Sequence, residues 1–97
     1  MTADPVPAPL ANAAAARVRV PVALHARPAA RLVRLLQNFA AEVQLVKNDA
    51  RADAQSLLDV LSLSIGEGDW IEIYASGVDK LAAQEAVAHF FTTGFGE

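Results

Sequence analysis

The chain has 97 residues, a length that fits one domain, and 54% of them are hydrophobic, which is enough for a single core. Cysteine is absent, and this excludes disulfides and thiolate metal sites. The net charge of -3 argues against general nucleic-acid binding, because such affinity depends on neutralising phosphates with Lys and Arg. No apolar run approaches the roughly 18 residues that span a bilayer, so we expect a cytoplasmic protein without membrane insertion.

The first half of the chain predicts a tail, three strands and a helix. Residues 1–15 hold three of the five prolines and lack periodicity, so we expect a flexible tail there. From Arg17 apolar residues alternate with other types, which predicts a half-buried strand. Apolar residues at helical spacing then predict a first helix over about 26–38. Two further runs predict strands over 42–47 and 51–54, joined by a turn.

The second half predicts two helices and one strand. Ser56 is a good N-cap for a second helix over about 57–63. Alternation predicts a strand over 70–75, and a helical stripe predicts a last helix over about 79–91. The buried stripe of this last helix should contain Ala83, Ala86, Val87 and Phe90.

The resulting element order is β-α-β-β-α-β-α. Because the strands alternate in hydrophobicity, one face of the sheet should be covered and the other wet, which is typical of an antiparallel α+β layer. We expect the domain to cover residues 16–92 and residues 93–97 to form a C-terminal tail. Trp70 and Tyr74 should lie on the open sheet face with Val46. Cross-strand stacking is the favoured interpretation, and the alternative is that the apolar tail or a second subunit covers them.

His25 lies where the first strand ends and the first helix begins. The first N–H groups of a helix have no intrahelical partner, and with the positive end of the helix dipole they form an anion site. Pro28 suits a first helical turn because it needs no N–H partner. Arg27 places a permanent charge two residues from the ring, able to bind phosphate oxygens. The alternative is that His25 is only a surface residue or a helix cap.

The run Leu24-His25-Ala26-Arg27-Pro28-Ala29 resembles the active-site motif of the HPr family, the histidine phosphocarriers of the bacterial phosphoenolpyruvate-dependent sugar phosphotransferase system. The resemblance covers nearly all of residues 17–91. It implies an open-faced β-sandwich, with a four-stranded antiparallel sheet and three helices on one face. The sequence departs from the family at Ala23, where glycine is usual, and at Val22, which is commonly polar. Both departures concern the geometry of the loop before His25.

The resemblance also implies the chemistry. His25 would take phosphate on Nδ1 from phosphorylated enzyme I and deliver it to sugar-specific IIA proteins or domains, with Arg27 assisting both transfers. One alternative is a nitrogen-branch or regulatory carrier that acts on a control protein, and another is a binding module that transfers no phosphate. An independent enzyme lacks support, because the sequence offers no second acid, base or metal constellation. We therefore expect a monomeric, stoichiometric carrier rather than an enzyme, with no cofactor and no metal site.

Arginines and leucines predict the surface that meets partners. Arg27, Arg31 and Arg34 fall on one row of the first helix, which favours acidic partners, although a solvated face is the alternative. The second helix has more apolar residues than one buried stripe needs, and we expect Leu57, Val60 and Leu63 in the core with Leu58 and Leu61 outside it. The predicted partner-binding surface around His25 contains Ala30, Arg31, Arg34, Leu57, Leu58 and Leu61.

Ser56 has two interpretations. As an N-cap it contributes about 1 kcal/mol, which by itself explains a serine at this position. In some branches of the family the matching serine is phosphorylated, so a serine-specific regulatory kinase is a further expected partner. Phosphate on Ser56 would place charge beside Leu57 and Leu58 and block docking. His89, on the outer face of the last helix, is assigned no function.

Overall fold

The computed structural model describes residues 7–96, which form four strands, three helices and a final 3-10 turn in the predicted order. The strands make one antiparallel sheet with the spatial order β1-β4-β2-β3, so the predicted α+β fold is confirmed. The elements are β1 (Ala14–Arg19), α1 (Ala26–Leu36), β2 (Glu42–Lys47), β3 (Ala50–Asp53), α2 (Leu57–Ser62), β4 (Trp70–Ser76), α3 (Lys80–Thr92) and the turn Gly94–Gly96.

The core lies between the sheet and the helices. In β4 every second side chain is buried, and Ile73 pairs with Ala16 of β1 on one side and with Leu45 of β2 on the other. Helices α1, α2 and α3 contribute their apolar stripes to the same cluster, so all three cover one face of the sheet. Alternate side chains of the strands therefore pack against helix side chains that are three or four residues apart along the chain.

Two helices differ in detail from the prediction. Helix α1 ends at Leu36 rather than near residue 38, because the N–H groups of residues 37–39 bond to carbonyls three residues earlier, at 3.2 Å each. Helix α3 fully buries Phe91, whereas Phe90 is only half-buried. Phe91 belongs to the core cluster and Phe90 packs against that cluster, and both rings contact Phe95, which the sequence analysis placed in a tail.

The domain boundary predicted after residue 15 is wrong, because β1 begins at Ala14. The segment before it lies across the outer face of the sheet. Gln44 Nε2 donates to the carbonyl of Ala8 at 2.7 Å, and Lys80 Nζ donates to that of Asn12 at 2.9 Å. These bonds use backbone carbonyls of the segment, so its side-chain sequence does not reveal them. Residues 1–6 of the predicted tail lie outside the described residues.

The C-terminal boundary predicted after residue 92 is also wrong for Phe95. This residue is 1% exposed and belongs to the core cluster. Its ring lies against Phe90 and Phe91, with centroid distances of 5.3 and 5.7 Å. The surrounding small and polar residues predict an exposed segment. Burial of the large Phe95 ring nevertheless stabilises the buried position, because it removes much apolar area from water.

The outer sheet face carries stacked cations, aromatic rings and part of the N-terminal segment. The guanidinium of Arg17 lies 4.2 Å from the ring centroid of Trp70, and that of Arg51 lies 5.4 Å from that of Tyr74. The Tyr74 hydroxyl donates to Glu72 at 2.7 Å, and this bond to a carboxylate raises the pKa of Tyr74. The two rings thus stack with arginine side chains of other strands. The N-terminal segment bonds to Gln44 and Ser76 of this face, and Trp70 stays 48% exposed, so the prediction that the tail covers Trp70 is not confirmed.

The segment between α2 and β4 fixes the loop that precedes α1. Val20 N donates to the carbonyl of Asp69 at 2.8 Å, and Gly68 N donates to the carbonyl of Val20 at 2.7 Å. The Asp69 carboxylate accepts from Gly66 N at 2.7 Å and pairs with Lys47 Nζ at 2.9 Å. The hydrogen bond from Lys47, followed by that from Gly66, holds the pKa of Asp69 below its usual range.

No helix in residues 7–96 is long and apolar enough to cross a membrane. Within the same residues no group of three His, Cys, Asp or Glu side chains could hold a metal ion.

Replacing Gly77 with alanine should destabilise the fold. Gly77 has a φ of 117°, and a Cβ there would lie 2.8 Å from the carbonyl oxygen of Ala40. We expect Gly77→Ala to lower the free energy of unfolding by about 1–3 kcal/mol, measured by urea denaturation. Gly66→Ala is the matched control, because its Cβ would meet only an ordinary contact at 3.5 Å. Equal losses in the two variants would contradict the prediction.

The Asp69 carboxylate should make stability depend on pH. Because its folded pKa is lowered, its contribution is present above the unfolded pKa and is lost as pH falls through the folded value, that is from about pH 4 downward. Asp69→Asn should therefore lower the melting temperature at pH 7 and do so less at pH 3. Asp49→Asn, in the exposed turn after β2, controls for the loss of one negative charge. A deficit that is the same at both pH values would count against this role.

Candidate functional site

His25 is the N-cap residue of α1. Its backbone is extended, with φ -129° and ψ -176°, and its carbonyl accepts the first intrahelical bond, from Ala29 N at 3.0 Å. The residue is exposed. An extended N-cap directs the chain out of the loop and into the helix, so the imidazole lies at the amino end of α1. The structure thus places His25 at the strand-to-helix junction that the sequence predicts.

The amino end of α1 has the properties of an anion site. Because the first intrahelical bond comes from Ala29, the N–H groups of Ala26 and Arg27 have no acceptor within the helix. Pro28 is buried and supplies no N–H, so the first turn loses nothing by its presence. The first turn of α1, which lies wholly within the described chain, holds no acidic side chain. No negative side chain in that turn therefore offsets the positive end of the helix dipole.

The loop before His25 is tied down close to the ring. Leu24 N donates to the carbonyl of Ile65 at 3.0 Å. Together with the bonds between Val20 and the segment Gly68-Asp69, this fixes both ends of the loop. The departures at Val22 and Ala23 leave these anchors intact, because all of them are made by the backbone.

The three arginines of α1 have different surroundings. Arg27 and Arg34 are exposed, whereas Arg31 is half-buried and its guanidinium donates to the carbonyl of Phe95. The three arginines therefore do not form a uniformly solvated face. Arg27 is the nearest of the three to His25 along the chain, and its exposed guanidinium can fork onto the oxygens of an anion.

The exposed apolar residues of α2 differ in part from the prediction. Val60 and Leu63 are buried as expected, but Leu57 is 37% exposed and was wrongly assigned to the core. Leu58 is 79% exposed, while Leu61 packs partly against the core. Leu57 is the first residue of this six-residue helix, directly after the N-cap Ser56. The exposed apolar pair of α2 is thus Leu57 and Leu58.

Helices α1 and α2 pack against each other, and they carry all the predicted partner-binding residues. Ala30 is half-buried on α1. Ser56 is the N-cap of α2, and its hydroxyl accepts from Asp59 N at 3.3 Å, so the predicted cap is confirmed. His89, to which no function was assigned, is exposed on α3.

One contributor to this region was not predicted from the sequence. Phe95 reaches the site through its carbonyl, which accepts from Arg31. The available signal was an aromatic residue between two glycines, Gly94 and Gly96, in an otherwise polar end of the chain. Glycine pairs of this kind accompany backbone that leaves the usual φ range, here with φ values of 67° and 72°.

Comparisons with a family model, with curated proteins and with solved structures all indicate the same family. Residues 13–93 match the family model described as the PTS HPr component phosphorylation site. Phosphocarrier protein NPr of Klebsiella oxytoca is 43% identical over 76 residues, which cover 76% of this chain and 83% of NPr. The crystal structure of phosphocarrier protein HPr from Bacillus anthracis has a TM-score of 0.78 at 34% identity, covering 82% of this chain and 98% of HPr.

A larger relative contains a similar region. The phosphoryl donor subunit DhaM of the PEP-dependent dihydroxyacetone kinase of Providencia stuartii is 39% identical over 80 residues. The match covers 82% of this chain but 17% of DhaM, so the chain spans a small part of that relative. With a family model over most of its length, near full-length relatives above 30% identity and the same fold, this chain belongs to the HPr family, the phosphocarriers of the phosphotransferase system.

Proposed function

We propose that His25 accepts a phosphoryl group from phosphorylated enzyme I and passes it to an acceptor protein of the phosphotransferase system. The observation that carries the proposal is the exposed imidazole at the amino end of α1, two residues before an exposed arginine. Family membership supports the reaction class, and the exposed position of His25 at the amino end of α1 supports the choice of residue.

In the first transfer, a bond forms between a ring nitrogen of His25, Nδ1 in this proposal, and phosphorus, while the bond from phosphorus to the donor breaks. The second transfer reverses this at His25 and forms the new bond on the acceptor. The two transfers return His25 to its starting state and move one phosphoryl group from donor to acceptor, with His25 itself phosphorylated once in each cycle, so the chain acts as a stoichiometric carrier rather than an enzyme. The N–H groups at the start of α1 stabilise the phosphoryl oxygens in both complexes.

Arg27 assists by binding the phosphoryl oxygens as charge redistributes in a loose transition state. Its planar guanidinium presents a fixed fork of donors that matches two phosphoryl oxygens, whereas a lysine acts as a point charge on a flexible stem. Because Arg27 is exposed, its guanidinium is accessible to a phosphoryl group that a partner brings to His25.

The surface of α1 and α2 binds the partners in this proposal. Leu57 and Leu58 supply an exposed apolar contact, and Arg34 on α1 supplies exposed positive charge. Apolar residues at the centre of an interface give affinity, while charges at its rim raise the rate of encounter. A carrier that must leave one partner for the next is suited to a small surface of this type.

A second acceptor class is supported by the relatives. Sugar-specific IIA proteins are the first proposal, whereas the NPr relative at 43% identity favours a nitrogen-branch or regulatory acceptor, that is a control protein. Offering phosphorylated carrier equal amounts of a IIA domain and of a nitrogen-branch acceptor, and measuring which takes labelled phosphate, separates the two. Phosphorylation of Ser56 by a regulatory kinase stays a prediction, since the cap bond already accounts for a serine there.

Loss of the imidazole should abolish phosphate uptake. With enzyme I and labelled phosphoenolpyruvate, we expect the native chain to gain acid-labile label and His25→Ala to gain none. The matched control is His89→Ala, because His89 is the second of the two histidines and lies exposed on α3. Label retained in His25→Ala, or absent from the native chain, would refute the proposal.

A charge on the exposed apolar pair should weaken partner binding. We expect Leu58→Glu to raise the KM of enzyme I for the carrier about tenfold, because truncating or charging a central contact costs on the order of 1–2 kcal/mol. The melting temperature should stay close to the native value, since Leu58 is 79% exposed. Val78→Glu, at a residue 92% exposed in the turn before α3, is the control. Equal KM values for the two variants would remove Leu58 from the interface.

A further inference from the structure

The segment 64–69, which connects α2 to β4, holds both ends of the loop that precedes α1. The carbonyl of Ile65 accepts from Leu24 N at 3.0 Å, and Gly68 N donates to the carbonyl of Val20 at 2.7 Å. Both bonds are made by the backbone. The position of the loop therefore depends on the position of the backbone of segment 64–69.

The conformation of this segment needs support from outside it. Ser64 has a φ of 50° and Gly68 a φ of 85°, both in the left-handed region. For serine this region is less favourable than extended or helical backbone. Neither residue belongs to a helix or a strand, so the regular hydrogen bonds of those elements do not hold the segment in place.

Lys47, the last residue of β2, supplies such support. Its ammonium donates to the carbonyl of Ser64 at 2.7 Å and pairs with the Asp69 carboxylate at 2.9 Å. The same carboxylate oxygen accepts from Gly66 N at 2.7 Å. One ammonium thus joins the first and last residues of the segment, and the carboxylate joins the last residue to the middle.

The effect of this ion pair is local. The side chains of Lys47 and Asp69 are 21% and 32% exposed, and ion pairs that are accessible to solvent add little to the stability of a whole domain. Both groups are also bonded to the backbone of segment 64–69, however, so their contribution falls on that segment. Strand β2 is paired with β3 on one side and β4 on the other, which gives the ammonium a rigid base.

We propose that Lys47 is a positioning residue for phosphoryl transfer, which fixes segment 64–69 through Ser64 and Asp69 and so fixes the loop that leads to His25. This inference rests on the proposed function. Lys47 acts through the backbone of the segment and the loop, not on the phosphoryl group. Transfer requires the reacting atoms to be aligned, and a small displacement of the nucleophile lowers its rate.

The proposal predicts an effect on transfer rather than on partner binding. The exposed apolar pair, Leu57 and Leu58, lies at the amino end of α2, whereas Ser64 follows its carboxyl end. Loss of the Lys47 ammonium should therefore leave the apolar contact in place. The signature is a lower rate at saturating carrier with a nearly native half-saturating concentration, which a general loss of folded protein does not explain.

Single-turnover transfer tests this signature. Enzyme I, phosphorylated in advance with labelled phosphoenolpyruvate, is mixed with rising concentrations of carrier, and the reaction is quenched within milliseconds to seconds. We expect Lys47→Met to lower the saturating rate about tenfold while the half-saturating concentration stays nearly native. A native saturating rate, or a loss confined to the half-saturating concentration, would overturn the inference.

Hydrogen exchange gives a second readout that does not involve transfer. The Leu24 N–H bonds to the carbonyl of Ile65, so Lys47→Met should lower the protection of this amide about tenfold, while amides of β4 keep theirs. An unchanged Leu24 amide would contradict the inference. Equal losses at Leu24 and in β4 would show general destabilisation and would contradict it as well.

Asp69→Asn removes the same ion pair from its other side. The amide oxygen can still accept from Gly66 N, so the variant tests the charge more than the local turn. We expect it to lower the saturating rate and the protection of the Leu24 amide, as Lys47→Met does. Native values of both in Asp69→Asn would overturn the role of the pair.

Lys80→Met is the matched control. Lys80 also donates to a backbone carbonyl, that of Asn12 at 2.9 Å, but it lies at the start of α3. Its saturating rate and its Leu24 protection should both be native. Losses equal to those of Lys47→Met would count against a specific role for Lys47.

The two proposals fail in different ways. If the native chain takes no acid-labile label from enzyme I, the proposed function fails. If the native chain takes label and Lys47→Met takes it at the native saturating rate, only the role of Lys47 fails.

Discussion

The backbone bonds that hold the loop between β1 and α1 are the constraint on which the site depends. Val20 exchanges bonds with the segment Gly68-Asp69, and Leu24 N is bound by the carbonyl of Ile65. These contacts decide where α1 begins, and so where the N–H groups of its first turn and the N-cap His25 lie. An exposed imidazole can meet a partner's phosphorus reproducibly only if its backbone is fixed. The loop supplies that rigidity without burying the ring.

On the helical side of the domain, the residues that form the core differ from those that we propose to bind partners. Apolar stripes of α1, α2 and α3 fill one core with the alternate residues of the sheet, whereas Arg27, Arg34 and Leu58 stay in solvent. An exposed leucine beside positive charge gains little for the folded monomer, but it gives a partner both an apolar contact and electrostatic attraction. A carrier that exchanges partners needs such a surface more than it needs a large one. Because these residues are exposed, substitutions on this face should leave the fold intact.

Both ends of the described chain are held by tertiary contacts of different kinds. The N-terminal segment is bound through its own carbonyls by Gln44 and Lys80, so these two bonds do not use its side chains. The C-terminal turn depends on one side chain, Phe95, whose ring is buried and whose carbonyl reaches Arg31. The first contact covers the outer sheet face, and the second links the core to the site. The family match covers residues 13–93, so Ala8, Asn12 and Phe95, which make these contacts, lie outside it.

The order of elements, the antiparallel sheet and the position of His25 followed from the sequence by itself, because periodicity, the Ser56 cap and Pro28 are local signals that the chain carries without its neighbours. The sequence did not predict the limits of β1 and α1, the burial of Phe91 rather than Phe90 or the exposure of Leu57. These features depend on contacts between elements, which the residue pattern of a single element does not specify. Tertiary structure alone decided the ends of the domain and the setting of Arg31, because backbone carbonyls and one buried ring form these contacts across more than 30 residues of sequence, where no local pattern reports them.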